Sequence, residues 1–257
     1  IQVDPPQKLD FGALRPQFPW YDPQLVESPE ESRARALPRV YRRPSELPVA
    51  IPVFPLGGAL LFPRAVLPLN IFEPRYLSMV DAALVGHRLI GMIQPAGLIV
   101  PDTTGIDTPD LAEVGCAGRI TGFQETEDGR YLIARTGICR FRVKEELRHE
   151  GAYRIVRADW DAFADDLTRP HDVDDGVRAR LISALHAYLE RSGMKADRSA
   201  VEEAPVDTLI NSLSAGCPFS NPEKQALLEA RTMEDRCTAL ITLLMMERPG
   251  QGGGYVQ

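Results

Sequence analysis

The chain has 257 residues, of which 44% are apolar and 25% charged, and its formal net charge is −7. These values are typical of a globular protein with one large domain or two modest ones. An acidic balance opposes broad attraction to nucleic acid, whose backbone requires clustered lysine and arginine. No apolar run approaches the roughly 20 residues of a membrane span, and the polar first ten residues lack the pattern of a secretory signal. We therefore expect a cytoplasmic protein with no membrane partner.

The four cysteines are widely spaced and form no CxxC pair; they are Cys116, Cys139, Cys217 and Cys237. This pattern favours reduced, partly buried thiols over disulfides or a zinc site.

Residues 1–47 differ in composition from the rest of the chain and contain eight prolines. Such frequent prolines remove backbone donors, so the pattern predicts an extended tail. One short helix is expected from Ser28, which would cap it, with Glu31 closing a capping box. The tail also carries the apolar stretches 11–14 and 18–21, which either pack on the tail's own domain or form a linear docking motif for a partner.

Residues 48–165 show short β-type runs. Ile51–Leu56 is predicted to be an edge strand, because its two prolines cannot donate to a ladder on both sides. Val66–Phe72 is a second predicted strand, followed by a helix from Pro74 to about Leu84 with apolar residues at helical spacing. Leu89–Gln94 is a compact apolar strand, and the stretch 95–110, rich in Pro, Gly, Asp and Thr, is predicted to be a long loop.

A β-hairpin is the clearest local prediction. Residues 116–126 and 131–143 alternate as strands do, and Asp128–Gly129 between them is typical of a two-residue turn. Residues 153–160 are expected to return to the same sheet as one more strand.

Residues 166–248 are predicted to be helical. An amphipathic stripe runs from Val177 to Leu189, a shorter helix covers Val206–Leu213, and two more begin near Asn221 and at the capping box of Thr232. The glycine-rich residues 249–257 are expected to be a disordered tail.

Several of these stretches resemble, in order, the N-terminal substrate-binding domain of Lon proteases. The matching segments are Ile51–Leu56, Leu67–Tyr76 with its Leu-Asn-Ile-Phe-Glu-Pro-Arg-Tyr string, the hairpin 115–143, Asp207–Asn211, Pro218–Phe219 and Glu223–Glu229. The resemblance spans about residues 48–248. It implies an α+β fold, a PUA-like β-barrel followed by a C-terminal helical bundle.

No catalytic site is predicted. Lon proteases continue into ATPase and Ser-Lys protease domains, and we expect a stand-alone relative that lacks both. The sequence contains no GxxxxGK[ST] phosphate loop and no GxSxG elbow, and His87, His149, His171 and His186 lack HExxH spacing. Asp172, Asp174 and Asp175 are better explained as favouring a helix N-terminus than as metal ligands. We therefore expect no enzyme activity, cofactor or metal.

By resemblance, the chain is expected to be an adaptor that binds exposed or unfolded polypeptide segments; whether a separate protease receives them is left open. The candidate polypeptide-binding residues are Leu61, Phe62, Pro63, Arg64 and Phe72, because unfolded clients present apolar side chains to an accessible apolar patch. The loop they occupy would serve equally well as buried core. Glu73, Arg75 and Tyr76 are interpreted as a strand-to-helix corner held by a Glu–Arg interaction, in preference to a ligand contact.

The alternative function is RNA binding, since PUA-like barrels elsewhere bind RNA. Arginines crowd the hairpin with aromatic residues between them, as a stacking surface requires. The candidate residues are Arg119, Arg130, Tyr131, Arg135, Arg140 and Arg142. Strand alternation would instead scatter these charges over two faces, and the acidic balance favours that interpretation. The client and the oligomeric state are not predicted.

Overall fold

The computed structural model describes residues 40–96, 109–148, 151–168, 173–192 and 198–246. The helix predicted at Ser28, the apolar stretches of the tail and the glycine-rich 249–257 lie outside these residues. Within the predicted tail, Tyr41 and Leu47 flank a 3-10 turn at Pro44–Glu46, and both pack in the core. The packed structure therefore includes residues from at least Tyr41 onward.

Eight strands are present in the described residues. Their bounds are β1 Ala50–Pro55, β2 Val66–Ile71, β3 Leu89–Ile93, β4 Pro95–Ala96, β5 Asp110–Leu111, β6 Val114–Glu125, β7 Tyr131–Leu147 and β8 Arg154–Asp159. Six of them form one mixed sheet in the order β2-β7-β6-β3-β1-β8, and β4 pairs with β5. Because β7 also pairs with β8, the pairings lead from β7 through β6, β3, β1 and β8 back to β7. Strand β2 is attached outside this circuit.

Strand β1 is not the edge strand that its prolines predict; it lies between β3 and β8. The two neighbours pair with different parts of it. Strand β8 pairs with Ala50–Val53 and β3 with Val53–Pro55, so only Val53 has a partner on both sides. Each proline thus has a single neighbouring strand, and the donor it lacks is not needed on the other side.

The hairpin between β6 and β7 is confirmed, with a loop one residue longer than predicted. The Gly129 N–H donates to the Thr126 carbonyl at 2.9 Å, and the Thr126 N–H donates to the Arg130 carbonyl at 2.9 Å. Gly129 has φ of +77°. Three residues therefore connect the paired ends, in the common turn closed by a glycine of positive φ.

The helices follow the predicted order, with two additions, one of them the 3-10 segment that follows β8. Their bounds are α1 Pro74–Val85, a 3-10 segment Asp161–Leu167, α2 Asp175–Arg191, α3 Arg198–Glu203, α4 Val206–Gly216, α5 Asn221–Glu229 and α6 Met233–Met245. The short α3 was not predicted. The capping box at Thr232 is confirmed, since its hydroxyl accepts from the Asp235 N–H at 3.0 Å. At α5 the capping residue is Ser220, one position before the predicted Asn221.

One hydrophobic core connects the strand half and the helical half. It includes Ile51 and Phe141 from the sheet together with Leu209 and Leu240 from the helices. The α+β fold implied by the resemblance is thus present, and the two halves share buried apolar surface.

Candidate functional site

The loop that supplies four of the five predicted polypeptide-binding residues is not an accessible patch. Leu61 and Pro63 are buried, and Phe62 is 0% exposed. A side-chain carbon at Gly137 would lie 2.0 Å from the Phe62 carbonyl oxygen, so only glycine allows this approach of the loop to β7. The loop belongs to the core, which removes Leu61, Phe62 and Pro63 from the candidate surface.

Polar groups of the helical half hold the same loop in place. The Asn211 side-chain amide on α4 donates to the Pro63 carbonyl at 3.1 Å and its oxygen accepts from the Arg236 guanidinium at 2.7 Å. Arg236, buried on α6, also stacks over the Phe62 ring at 5.0 Å. Burial, followed by the nearby charge of Arg140, lowers the pKa of Arg236 to about 9. The loop therefore joins the two halves of the fold.

Arg64 is exposed, and its guanidinium binds within the molecule. Its backbone has φ of +66°, and its side chain donates to the Thr168 carbonyl at 2.5 Å and the Asp166 carbonyl at 3.3 Å. These bonds hold the guanidinium against the segment that follows β8.

Phe72 is the one predicted polypeptide-binding residue that keeps an exposed apolar side chain. Its ring is 38% exposed and lies 5.8 Å from the Arg130 guanidinium. Phe123 on β6, which was not predicted, is 44% exposed and meets the Tyr131 ring edge-on at 4.9 Å. Phe72, Phe123 and Tyr131 lie where β2, β6 and β7 reach the hairpin turn, and we call them the aromatic end; Phe123 and Tyr131 contact each other, and Phe72 lies beside Arg130. Phe123 lies two residues before the end of β6. In the sequence, only the alternation of the strand could have indicated that its side chain is exposed.

Tyr131 connects the aromatic end to helix α1. A hydrogen bond with the Asp81 carboxylate is the main cause that raises the pKa of Tyr131. In register, Tyr131 lies opposite Ile71 of β2 on one side and Glu125 of β6 on the other. The ring is therefore fixed by its strand neighbours and by α1, which favours a preorganised surface.

The predicted corner residues meet at the start of α1. The Arg75 guanidinium contacts the Glu73 carboxylate at 2.7 Å, and it lies 4.7 Å over the Tyr76 ring. The buried Tyr76 packs edge-on against Phe54 of β1 at 4.2 Å, and burial raises its pKa. The geometry places the three residues where β2 ends and α1 begins, beside Phe72.

The arginines of the RNA hypothesis do not form one face. Arg135 and Arg140 are buried, which contradicts their assignment to an exposed surface. Arg130 pairs with Asp128 at 2.8 Å, Arg142 with Glu113 at 3.4 Å, and the Arg119 guanidinium donates to the His87 carbonyl at 3.2 Å. Two of the five arginines are thus inside the molecule, carboxylates neutralise Arg130 and Arg142, and a backbone carbonyl holds Arg119. This arrangement does not favour RNA binding.

The remaining residues considered as candidates in the sequence, where the structure describes them, have structural roles. The Asp174 carboxylate accepts from the Gly176 N–H at 2.9 Å and caps α2. The four cysteines are reduced thiols, and they are completely buried where partial burial was predicted. Burial raises the pKa of Cys237 to about 11. Within the described ranges, no group of three or more His, Cys, Asp and Glu side chains is arranged to hold a metal, and no helix combines the length and apolarity of a membrane span. His149, His171 and Asp172 lie outside those ranges.

The fold is an α+β domain, and the aromatic end carries exposed aromatic side chains at the hairpin end of its sheet. Residues 50–245 match the model of the ATP-dependent protease La (LON) substrate-binding domain, and the chain belongs to that family. It is similar to a Lon protease of Flavobacterium johnsoniae, with 26% identity over 207 residues covering 78% of this chain and 24% of that protein. A Lon protease 2 of Thermus thermophilus is 27% identical over 208 residues, with coverage of 78% and 24%.

Solved structures agree on the fold. A Lon N-terminal domain protein from Xanthomonas campestris superimposes with a TM-score of 0.54 at 21% identity, covering 75% of this chain and 97% of that one. The N-terminal domain of a Mycobacterium avium complex Lon protease gives 0.54 at 17% identity, with coverage of 76% and 97%. The chain thus corresponds to whole Lon N-terminal domains and spans about a quarter of the length of the curated relatives.

Proposed function

We propose that this protein binds exposed or unfolded polypeptide segments, and that the aromatic end contacts them. The observation that carries the proposal is the pair of exposed rings, Phe72 and Phe123, on a domain of the LON substrate-binding family. Aromatic side chains supply large contact area at low entropic cost, which suits recognition of varied apolar segments.

The polar groups around the aromatic end favour a segment that is apolar but not strongly charged. Arg130 lies beside the Phe72 ring, and Arg75 follows Phe72 at the start of α1; each is matched by a neighbouring carboxylate, Asp128 and Glu73 respectively. A charged side chain of a client would therefore meet a positive and a negative group together, and apolar contact would contribute most of the binding energy. Affinity for a single segment should be weak, because a flexible client loses conformational freedom on binding.

A titration of the full chain against a fluorescein-labelled, reduced and unfolded protein tests this function by anisotropy. The double substitution Phe72→Ala, Phe123→Ala is expected to weaken binding about tenfold or more, as loss of two aromatic contacts does. Val85→Ala is the matched control, since Val85 is 93% exposed on α1 and outside the aromatic end.

Three outcomes separate the hypotheses. Saturable binding that survives moderate salt and is lost in the double variant supports the proposal. Binding that is unchanged in the double variant moves the contact elsewhere on the domain. No binding to the unfolded protein, with tight binding to a structured RNA that collapses as salt rises, would replace it with the RNA function.

A further inference from the structure

Strand β2 is the terminal strand of the six-stranded sheet and pairs with β7 alone in the described part of the chain. A terminal strand leaves alternate backbone N–H and C=O groups unpaired along its outer edge. Which residues of β2 face that edge follows from the ladder on its inner side.

The hydrogen bonds between β2 and β7 show which residues of each strand direct their backbone groups toward the other. The Gly137 N–H donates to the Ala65 carbonyl at 2.8 Å, and the Gly137 carbonyl accepts from the Arg64 N–H at 2.8 Å. Gly137 therefore turns its backbone groups toward β2, and so do alternate residues before it on β7. The Ala134 carbonyl accepts from the Thr121 hydroxyl of β6 at 3.3 Å, which confirms that the intervening residues face β6.

The same alternation divides the residues of β2 into those that direct their backbone groups toward β7 and those that direct them toward the outer edge. Leu67, Leu69 and Ile71 are opposite Arg135, Ile133 and Tyr131 and hydrogen bond to β7. Val66, Pro68 and Asn70 consequently direct their backbone groups to the free edge. No turn, loop or cap hydrogen bond of the described residues engages these three. Pro68 lacks an N–H, so the edge offers three acceptors and two donors, with the donors at Val66 and Asn70.

We propose that β2 binds an extended polypeptide segment as an additional strand of the sheet. The inference rests on the proposed function and specifies how the client is held: backbone hydrogen bonds to Val66, Pro68 and Asn70, with client side chains reaching Phe72. The edge is continuous with the aromatic end, because Phe72 directly follows β2. Backbone recognition explains how one surface accepts segments of different sequence.

The edge also sets what a client must provide. A bound segment needs unblocked N–H groups at alternate positions to reach the carbonyls of Val66, Pro68 and Asn70. A proline at one of these positions abolishes one bond, whereas a proline at the intervening positions does not. The absent Pro68 N–H leaves one client carbonyl without a partner on β2.

A labelled nine-residue peptide of alternating valine and threonine tests the mode of binding by anisotropy. Two versions carry N-methyl groups, one on the even and one on the odd central positions. One version is expected to lose binding about tenfold or more and the other to bind nearly as the parent peptide, because only alternate N–H groups face β2.

The substitution Pro68→Ala gives a second test, in which the affinity for the peptide is expected to rise. It adds an N–H to the free edge, and the parent peptide should bind about fivefold tighter, the worth of one net hydrogen bond. Val85→Ala is the control and should leave the affinity unchanged.

The outcomes distinguish this inference from the function on which it rests. Equal loss with both N-methyl patterns, together with no gain from Pro68→Ala, overturns strand addition even if the peptide binds. Binding of the unfolded protein without binding of the peptide also overturns it and leaves the proposed function standing. Failure of both probes to bind overturns both.

Discussion

Arg140 on β7 and Asp166 in the 3-10 segment form a two-point ion pair that is almost completely removed from water. Two guanidinium nitrogens each contact one carboxylate oxygen at 2.9 Å, and the two side chains are only 4% and 10% exposed. Arg140 also donates to the Leu228 carbonyl at 2.9 Å, at the end of α5. One guanidinium thus ties the sheet to the helical half.

Removal of the carboxylate by Asp166→Ala should destabilise the fold by about 3–5 kcal/mol, because it leaves a buried charge without a counter-ion. Urea denaturation followed by circular dichroism measures the change. Glu113→Ala is the matched control: its partner Arg142 is largely exposed, so the loss should stay within about 1 kcal/mol. Similar losses in the two variants would contradict the role assigned to Asp166.

The buried Phe62 and the exposed Phe72 should separate stability from binding. Phe62→Ala is expected to cost about 3–5 kcal/mol of unfolding free energy, since it leaves a cavity under Arg236. Phe72→Ala should cost less than about 1 kcal/mol and still weaken client binding. Thermal melts together with the anisotropy titration check both. A large stability loss in Phe72→Ala would place that ring in the core.

Arg135 is a buried guanidinium for which the described residues provide no carboxylate. It contacts the Met92 sulfur and lies 6.0 Å from the Phe54 ring, while its Nε and Nη1 have no hydrogen-bond partner there. We expect Arg135→Met to raise the unfolding free energy at pH 7 by about 1–4 kcal/mol, because an apolar side chain of similar volume has no charge to desolvate. A less stable variant would show that the contacts of the guanidinium stabilise the fold by more than its desolvation costs.

The same residue predicts a pH dependence. Burial lowers the pKa of Arg135 in the folded protein to about 9, against 12.5 in its ordinary environment. Above pH 9 the folded state releases the proton while the unfolded state keeps it, so this residue favours folding more as pH rises. The advantage of Arg135→Met over the natural sequence should therefore shrink between pH 8 and pH 10.5. A constant difference across that range would contradict a depressed pKa.

Amide hydrogen exchange tests the orientation of β2 directly. In the free protein the amides of Val66 and Asn70 should exchange fast and those of Leu67 and Leu69 slowly, because only the latter donate to β7. Exchange followed by nuclear magnetic resonance resolves the four amides. Protection of Val66 and Asn70 without a client would mean that the outer edge is already paired.

Patterns within a few residues predicted much of this fold. The hairpin, α1 and the capping box of α6 depend on local alternation, spacing and turn chemistry, and each is present. The edge assignment of β1 was wrong because its prolines were judged against a strand paired along its whole length. The staggered partners depend on β8, which is distant in sequence.

The site was less predictable than the fold. Phe62 and Phe72 are both apolar residues near a strand end. The approach of the Phe62 loop to Gly137 of β7, together with contacts from Asn211 and Arg236 of later helices, buries Phe62. Arginines at positions 135 and 140 suggest an exposed basic face, since burial of a charge is rare. Arg140 is paired with Asp166, and two nitrogens of Arg135 have no partner among the described residues. Both situations depend on tertiary packing, which spacing along the chain does not predict.

The divided pairing of β1 has a consequence for synthesis on the ribosome. The half of β1 that pairs with β8 must wait until about 100 further residues have been made, because Val53 is paired with Arg154. Until then, the strand circuit is open and an apolar strand has no partner on that side. Contacts so distant in sequence slow folding and leave unpaired strands exposed to association. The nascent chain is therefore itself, for a time, an unfolded segment of the kind this domain is proposed to recognise.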